Sequence, residues 1–491
     1  MYRDRDFDLQ RDLPPNAQSL TQDLELNVLF NAMAQGDKVL LEVATKAVLG
    51  SMTDRGDVLY RQDILQDCLK NPSIVRDIYG LAVEAIENER KNFWGILSDY
   101  PDATLRRSIE VLQMFVTMLG RLRKCAEMHA GKFGSEGFAT LFSMLQRELD
   151  DDYFACVKSH LQRLKFRGGV LISAQLGKGN KGTNYVLRKP EQRRENWFER
   201  LVEPREPSYT YHLHPRDESG AKALGDLNDR GVNLVANALA QSTDHIVSFF
   251  SMLRTELAFY VGCLNLHGKL ANKGGAISFP VPACPEERRH SFSELYDPCL
   301  ALTLEGKTVS NDVNADHKEL LIITGANQGG KSTFLRGIGL SQLMMQCGMF
   351  VPARSFSANM CSGVFTHFKR EEDSTMESGK FDEELNRMSD IADQIRPNAM
   401  LLFNESFAAT NEREGSEIAR QIVNALLDKR MKIFFVTHLY ELAHGFYGKK
   451  LENAFFLRAE RQADGARTFK LVEREPLSTS YGQDLYSKIF K

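Results

Sequence analysis

The sequence predicts a multidomain protein of the α plus α/β class, in which a helical region with a small β insertion precedes an α/β domain. At 491 residues the chain is too long for one hydrophobic core, because a single domain usually has roughly 100–200 residues. Apolar residues recur at intervals of three and four through 18–164 and 227–270, which is the period of an amphipathic helix. After about residue 296, apolar strands alternate with helical segments, as in α/β domains.

Changes in composition divide the chain into four predicted parts. These are a first helical part (1–165), a small basic β-containing insertion (166–215), a second helical part (216–295) and an α/β domain (296–491). Inside the insertion, the apolar run 170–174 and the run 183–187 flank the glycine-rich turn 177–182. This arrangement predicts a β-hairpin. Prolines between residues 280 and 285 predict a linker before the α/β domain.

Composition excludes several classes of protein. The formal net charge of −3 argues against a chain that coats nucleic acid over its whole surface. The eight cysteines form no C-x-x-C pair, which favours reduced thiols and a cytoplasmic location over a disulfide framework or a zinc site. We find no uncharged apolar run of about 18 residues and no apolar N-terminal segment. We therefore expect neither a membrane span nor a signal peptide.

A phosphate-binding loop is predicted between an apolar strand at 320–324 and a helix that begins near Thr333. The segment GANQGGKS satisfies the pattern G-x-x-x-x-G-K-[ST], in which backbone N–H groups converge on phosphate oxygens. Lys331 then reaches the β- and γ-phosphates of ATP, and the Ser332 hydroxyl binds Mg²⁺. The alternative, a glycine-rich turn with a chance lysine, does not explain the flanking strand and helix. The predicted nucleotide contacts are Gly325, Ala326, Asn327, Gln328, Gly329, Gly330, Lys331, Ser332 and Thr333.

Two further apolar strands end in residues that suit ATP hydrolysis. The strand 399–403 is followed by Asn404 and Glu405, where P-loop ATPases normally have Asp-Glu. Asn404 retains a carbonyl oxygen for the metal site but has no charge, and Glu405 is placed to act as general base on water. The strand 432–437 ends in His438, which can sense the γ-phosphate or hold the attacking water. An ordinary surface glutamate and a structural histidine are the alternatives.

These residues, in this order, resemble the ATPase domain of the MutS family of DNA mismatch-repair proteins. The matching segments are 324–336 (TGANQGGKSTFLR), 349–353, 364–368, 377–381, 406–411, 436–438 and 479–482. The resemblance implies an ABC-type P-loop ATPase domain that binds ATP and Mg²⁺ and works as a homodimer. It also implies that Ser378 and Gly379 cap the ATP of the partner subunit.

The resemblance also applies, more weakly, to the helical parts. It implies that the helices of 20–165 and 225–270 are levers and that the insertion at 166–215 takes the place of a clamp. Too few residues precede these helices for a mismatch-reading domain and its connector. The resemblance therefore implies a short family member without that domain.

A basic segment at 158–200 is the candidate nucleic-acid contact. It has eleven basic residues and three acidic ones, in a chain whose overall charge is negative. Backbone phosphates attract such a segment, and its interleaved aromatic residues can stack on exposed bases. The alternative is an ordinary solvated surface around a hairpin. The predicted contacts are Lys178, Lys181, Arg188, Lys189, Arg193 and Arg194.

Three functions are compatible with these features. The first is an ATP-dependent DNA-binding protein of the MutS type, which acts in DNA repair or recombination and has DNA and a second copy of itself as partners. The second is a related ATPase switch that acts on a protein partner without DNA. The third, an ATPase subunit of a membrane transporter, is disfavoured because a long helical region precedes the phosphate loop. A salt-dependent measurement of DNA binding would separate the first two.

Overall fold

The structure, a computed structural model, describes residues 2–93, 101–166, 169–188, 209–370, 379–462 and 465–477. Its α-helices are α1 (Ala17–Asp23), α2 (Leu26–Ala34), α3 (Lys38–Leu49), α4 (Arg55–Lys70), α5 (Pro72–Phe93), α6 (Pro101–His129), α7 (Glu136–Glu148), α8 (Asp151–Arg163), α9 (Glu218–Asn272), α10 (Pro298–Thr303), α11 (Lys331–Gln346), α12 (Lys380–Gln394), α13 (Glu412–Asp428) and α14 (Tyr440–Gly448). Its strands are β1 (Leu171–Leu176), β2 (Gly182–Arg188), β3 (Val281–Ala283), β4 (His290–Leu295), β5 (Asn311–Asn314), β6 (Leu320–Gly325), β7 (Ser355–Asn359), β8 (Val364–Phe368), β9 (Met400–Asn404), β10 (Lys432–Val436), β11 (Ala454–Arg461) and β12 (Arg467–Glu473).

The described residues form two compact units. Unit 1 comprises those of Met1–Val75, Lys132–Phe138 and Thr255–Lys491, and unit 2 comprises those of Arg76–Gly131 and Ala139–Arg254. This grouping differs from the predicted division at residues 165 and 295. The reason is that the first helices pack on the α/β residues, an association that no local pattern in the sequence indicates.

The packing of α1 and α2 illustrates this association. The side-chain amide of Asn16, just before α1, donates to the backbone carbonyl of Val364 at 2.7 Å. Leu24, between α1 and α2, is fully buried. A Cβ placed on Gly339 of α11 would lie 3.0 Å from a methyl carbon of Leu24, so the two segments are in direct contact.

The main sheet of unit 1 has the strand order β12-β11-β6-β10-β9-β8. The five strands from β11 to β8 are parallel, and only β12 runs antiparallel to its neighbour. Strands β6, β9 and β10 each contain a continuous apolar run because both faces of this part of the sheet are covered. Val436 pairs with both Ile323 and Asn404, so the carboxyl ends of these strands lie at one edge. This is the edge where open α/β sheets place their ligand sites.

A small sheet, β3-β7-β4-β5, accompanies the main sheet in unit 1. Lys432 of β10 joins the two sheets and is fully buried. Its Nζ donates to the side-chain oxygen of Asn359 at 2.6 Å and to the carbonyl of Arg289 at 3.0 Å. Burial lowers the pKa of Lys432 to about 8. The hydrogen bonds supply the partners that a buried ammonium group requires.

Unit 2 has a helical core with the predicted hairpin packed on it. Seven apolar residues of α6, α8 and α9 form this core, namely Leu105, Ile109, Leu112, Val116, Leu161, Val232 and Ala236. Strands β1 and β2 pair antiparallel, as the sequence predicts. Gly231 of α9 lies under the hairpin, where a Cβ would come within 2.2 Å of the Ile172 side chain. A larger residue at this position would require the Ile172 side chain to move.

Helix α9 is longer than its periodicity predicts and begins at Glu218. Its most apolar 18-residue stretch, with a mean hydropathy of 1.3, could cross a membrane by length and composition alone, although the sequence predicts no span. However, 56% of that stretch is buried within the protein, and a buried core helix meets the same criterion. The helix is therefore weak evidence for a membrane span. All eight cysteine thiols are free.

Candidate active site

The predicted phosphate loop joins the end of β6 to the start of α11. Three of its residues adopt left-handed backbone angles: Gly325 (φ 115°), Gln328 (φ 57°) and Gly330 (φ 86°). At Gly325 a Cβ would lie 2.8 Å from the backbone nitrogen of Ala459 on the neighbouring strand β11. The loop can therefore follow this path only with glycine at that position. The first residues of α11 line the cavity described below, and the N-terminus of a helix favours anions.

The side chain of Lys331 lies over this loop and is 4% exposed. Its Nζ donates to the carbonyl oxygens of Gly325 at 3.1 Å and Ala326 at 3.0 Å. Burial lowers the pKa of Lys331, while the negative charge of Glu405 acts in the opposite direction. The ammonium group is thus held inside the loop, within reach of any phosphate that the loop binds.

Two oxygen atoms form the candidate metal position. The Ser332 hydroxyl donates to the side-chain amide oxygen of Asn404 at 2.9 Å. Hydroxyl and amide oxygens are hard ligands of the kind that Mg²⁺ prefers, so this pair fits a magnesium ion. Because Asn404 is uncharged, the pair lacks the carboxylate that would attract the ion from a distance. The pair fits the metal chemically but would bring no negative charge to it.

Glu405 and His438 lie side by side although 33 positions separate them. His438 Nε2 and Glu405 Oε1 are 2.6 Å apart. Glu405 has a left-handed backbone (φ 56°), and its N–H donates to the carbonyl of Val436 at 2.8 Å. The hydrogen bond from His438 lowers the pKa of Glu405, and this effect outweighs the opposite effect of burial. The glutamate is therefore an ionised carboxylate at neutral pH, oriented by an imidazole.

Lys331, Ser332 and Glu405 line a cavity of about 450 Å³. Residues 328–333 of the phosphate loop and Glu405 form one wall. Other lining residues come from the segment between β4 and β5 and from β12, namely Tyr296, Leu300, Leu304, Lys307, Val309 and Phe469. Most of them are apolar and belong to no motif, so the sequence does not single them out.

The remaining predicted contacts fall in other places. Gly379 is the residue that immediately precedes α12, whereas Ser378 lies outside the described residues. Lys178, Lys181 and Arg188 are exposed on the hairpin of unit 2. The Arg188 side chain donates to the Ser173 hydroxyl at 2.8 Å. The other three predicted nucleic-acid contacts, Lys189, Arg193 and Arg194, lie outside the described residues.

Comparison with known protein families assigns most of the chain. The family described as MutS2 N-terminal domain matches residues 53–273, which include helices α4 to α9 and the hairpin of β1 and β2. The family described as MutS domain V matches residues 321–489, which include the phosphate loop, Glu405 and His438. The chain belongs to the MutS family. The resemblance inferred from its motifs is thereby confirmed.

Several individual MutS proteins are similar to parts of this chain. The DNA mismatch repair protein MutS of Thermus aquaticus is 33% identical over 178 residues, 36% of this chain and 22% of the relative. That of Clostridium botulinum is 36% identical over 143 residues, 28% of this chain and 15% of the relative. That of Methanosarcina mazei is 28% identical over 220 residues, 44% of this chain and 24% of the relative. The chain thus spans less than a quarter of each of these MutS proteins.

The pairing of Glu405 with His438 predicts a measurable change in acidity. Replacing His438 with alanine removes the hydrogen bond that favours the carboxylate, so the pKa of Glu405 should rise. A carbon-13 NMR titration of labelled glutamate carboxylates measures the change. The exposed His444, replaced with alanine, is the control and should leave the pKa of Glu405 unaltered.

The same pairing contributes to stability in a defined pH range. Because folding lowers the pKa of Glu405, the contribution is present above the unfolded-state pKa and is lost as the pH falls through the folded-state pKa.

An unchanged Glu405 titration in His438→Ala would show that the hydrogen bond does not form in solution.

Proposed function

We propose that this chain is an ATP-dependent DNA-binding protein of the MutS type, which acts in DNA repair or recombination. It hydrolyses ATP as a homodimer and uses the nucleotide state to change the geometry of its clamp. The main support is that Lys331, Ser332 and Glu405 line one cavity, with Asn404 hydrogen-bonded to Ser332 and His438 hydrogen-bonded to Glu405. A strand–loop–helix cradle, a metal position and a general base are the parts that ATP hydrolysis needs.

The proposed reaction assigns one task to each of these groups. The N–H groups of the loop and the Lys331 ammonium bind the β- and γ-phosphates of ATP. Ser332 and Asn404 would hold Mg²⁺, which would supply positive charge to the phosphates when bound. Glu405 accepts the proton of a water whose oxygen attacks the γ-phosphorus, and the bond to the β-phosphate oxygen breaks to leave ADP. His438 keeps Glu405 ionised and oriented.

The proposed homodimer is supported by the start of α12. Gly379 lies at the N-terminus of this helix, where free N–H groups and the helix dipole favour a phosphate. In the dimer these groups cap the γ-phosphate of the partner's ATP, in agreement with the resemblance of 377–381 to the capping loop. The apolar cavity wall around Leu304 and Phe469 is suited to the base of the nucleotide.

The proposed DNA contact is supported by the hairpin of unit 2. Its turn exposes Lys178 and Lys181, and a two-stranded hairpin can present such a turn to a groove or a backbone. The relatives in the comparison are DNA mismatch repair proteins by name. If DNA does not bind, the same ATPase acting on a protein partner becomes the better hypothesis.

Removing the loop ammonium or the general base should have different effects. In Lys331→Ala the affinity for ATP should fall by roughly tenfold or more, because the charge on the β- and γ-phosphates is lost. In Glu405→Gln, ATP should bind normally while turnover falls by about 10²- to 10⁴-fold, because the amide accepts no proton. Nucleotide titration and phosphate release measure the two effects.

Exposed residues of the same types serve as controls for these variants. Lys429→Ala and Glu417→Gln should bind and hydrolyse ATP as the parent does. Sedimentation of Glu405→Gln with ATP and Mg²⁺ should show a dimer, because uncut ATP persists at the interface. Normal turnover in Glu405→Gln would rule out its role as the base, and a monomer saturated with ATP would rule out the dimer.

The uncharged side chain of Asn404 predicts weak binding of Mg²⁺, which a single substitution should strengthen. Asn404→Asp adds a carboxylate at the metal position without changing the size of the side chain, so half-maximal hydrolysis should need several-fold less Mg²⁺. A magnesium titration of ATP hydrolysis tests this, with Asp428→Asn as an exposed control. An identical Mg²⁺ requirement in Asn404→Asp and the parent would mean that Ser332 and the phosphates hold the ion alone.

The proposed DNA contact can be tested at the hairpin turn of unit 2, which carries Lys178 and Lys181. In the double variant Lys178→Glu and Lys181→Glu, affinity for DNA should fall, and the slope of log affinity against log salt should become less steep by about 2. Fluorescence anisotropy at several salt concentrations measures both quantities. Reversing the exposed Lys70 and Lys124 is the matched control. Equal affinity and slope in the hairpin variant would reassign this turn to ordinary solvated surface.

A further inference from the structure

His367 lies on β8, beside the proposed active site but outside it. Its side chain is 1% exposed, and both ring nitrogens have partners. Nδ1 is 2.8 Å from the hydroxyl oxygen of Ser406, and Nε2 is 2.9 Å from the backbone carbonyl oxygen of Glu384 on α12. One imidazole therefore bridges β8, the loop after β9 and a helix.

The partners define the protonation of this ring. A carbonyl oxygen can only accept, so Nε2 must carry the proton that it donates to Glu384. Burial lowers the pKa of His367 to about 4, so the ring is neutral at neutral pH and Nδ1 is an acceptor. The Ser406 hydroxyl has one proton and two possible acceptors for it. These are Nδ1, 2.8 Å from the hydroxyl oxygen, and the His367 carbonyl oxygen, 2.5 Å from it. Either acceptor holds Ser406 against β8.

The loop that His367 contacts contains the proposed general base. Ser406 directly follows Glu405, and Phe407 comes next. Glu405 and Phe407 both have left-handed backbones, with φ of 56° and 62°, which residues with a side chain rarely adopt. Tertiary contacts must hold such a conformation. The Phe407 ring is fully buried and stacks on His367, with centroids 5.2 Å apart and an angle of 17°.

The other partner of His367 belongs to α12, the helix that Gly379 precedes. Glu384 of this helix contacts the loop by two routes. Its carbonyl accepts from the His367 ring, and its buried carboxylate accepts a hydrogen bond from the Phe407 backbone. A shift of α12 would therefore act on the residues that follow Glu405.

We propose that His367 is a positioning residue, which holds Glu405 in place through Ser406 and Phe407 and makes its position depend on helix α12. This inference rests on the proposed hydrolysis of ATP by Glu405. His367 contacts neither the cavity nor the phosphate loop. Its removal should consequently slow the chemical step and leave nucleotide binding intact.

Two substitutions at His367 separate the two contacts. Glutamine places its amide near Nε2 and can keep the bond to Glu384, whereas asparagine places its amide near Nδ1 and can keep the bond to Ser406. In His367→Gln, kcat should fall on the order of tenfold while KM for ATP changes less than about twofold, because only the base is misplaced. In His367→Asn, kcat should fall less than in His367→Gln.

Ser406 supplies an independent test should the histidine variants fold poorly. Ser406→Ala should lower kcat as His367→Gln does, and Ser406→Thr, which keeps the hydroxyl, should restore it. In the double variant His367→Gln with Ser406→Ala, the loss of kcat should be smaller than the product of the two single losses, because both substitutions remove the contact between the His367 ring and Ser406. His290→Leu, at another fully buried histidine of unit 1, should retain the parent kcat.

Amide hydrogen exchange tests the dependence on α12 without turnover. On binding a non-hydrolysable ATP analogue, the parent should gain protection in both 404–408 and α12, and His367→Asn should gain it only in 404–408. Equal protection of α12 in both proteins would overturn the coupling. An unchanged kcat in His367→Gln and Ser406→Ala, with a parent that hydrolyses ATP, would overturn the positioning role alone. A parent without ATP hydrolysis would overturn the proposed function, and this inference with it.

Discussion

The parallel pairing of β10 with both β6 and β9 is the constraint on which the candidate site depends. Val436 is in register with Ile323 on one side and with Asn404 on the other. Three segments distant in the chain therefore end at the same level. A shift of one residue would turn every side chain of a strand to the opposite face. The stacked rings of Phe403 and Phe435, with centroids 4.8 Å apart, oppose such a shift because both are buried on the same face of the sheet.

In the candidate site, a buried ammonium group and an ionised carboxylate lie close together. Lys331 is buried with two carbonyl oxygens, which solvate the ammonium group but leave its charge uncompensated. Glu405 supplies the nearby negative charge and is itself held ionised by His438. Asn404 brings no second carboxylate. The protein thus provides one carboxylate at this place, and a bound nucleotide would supply further negative charge.

Family boundaries and packing boundaries divide this chain differently. The MutS2 N-terminal match begins at residue 53 and ends at 273, whereas the compact units divide at residues 75 and 254. Residues before the match, such as Leu24, are buried in unit 1 together with α11. A MutS segment defined by sequence is therefore not a separate hydrophobic core here. Variants in α1 and α2 bear on the stability of the unit that contains the phosphate loop.

Much of the local architecture and the family membership could be predicted from the sequence. The strand before Gly325, the helix after it, the hairpin at 171–188 and the polar ends of β9 and β10 each depend on a few neighbouring residues. Periodicity, glycine conformation and motif spacing encode such features locally. Only the tertiary structure decided which of these ends meet. The Ser332–Asn404 and Glu405–His438 contacts join residues 72 and 33 positions apart, and His367 meets Ser406 across 39. These pairs exist because strand order and the burial of both sheet faces bring them together, and such interactions leave no pattern within either segment alone.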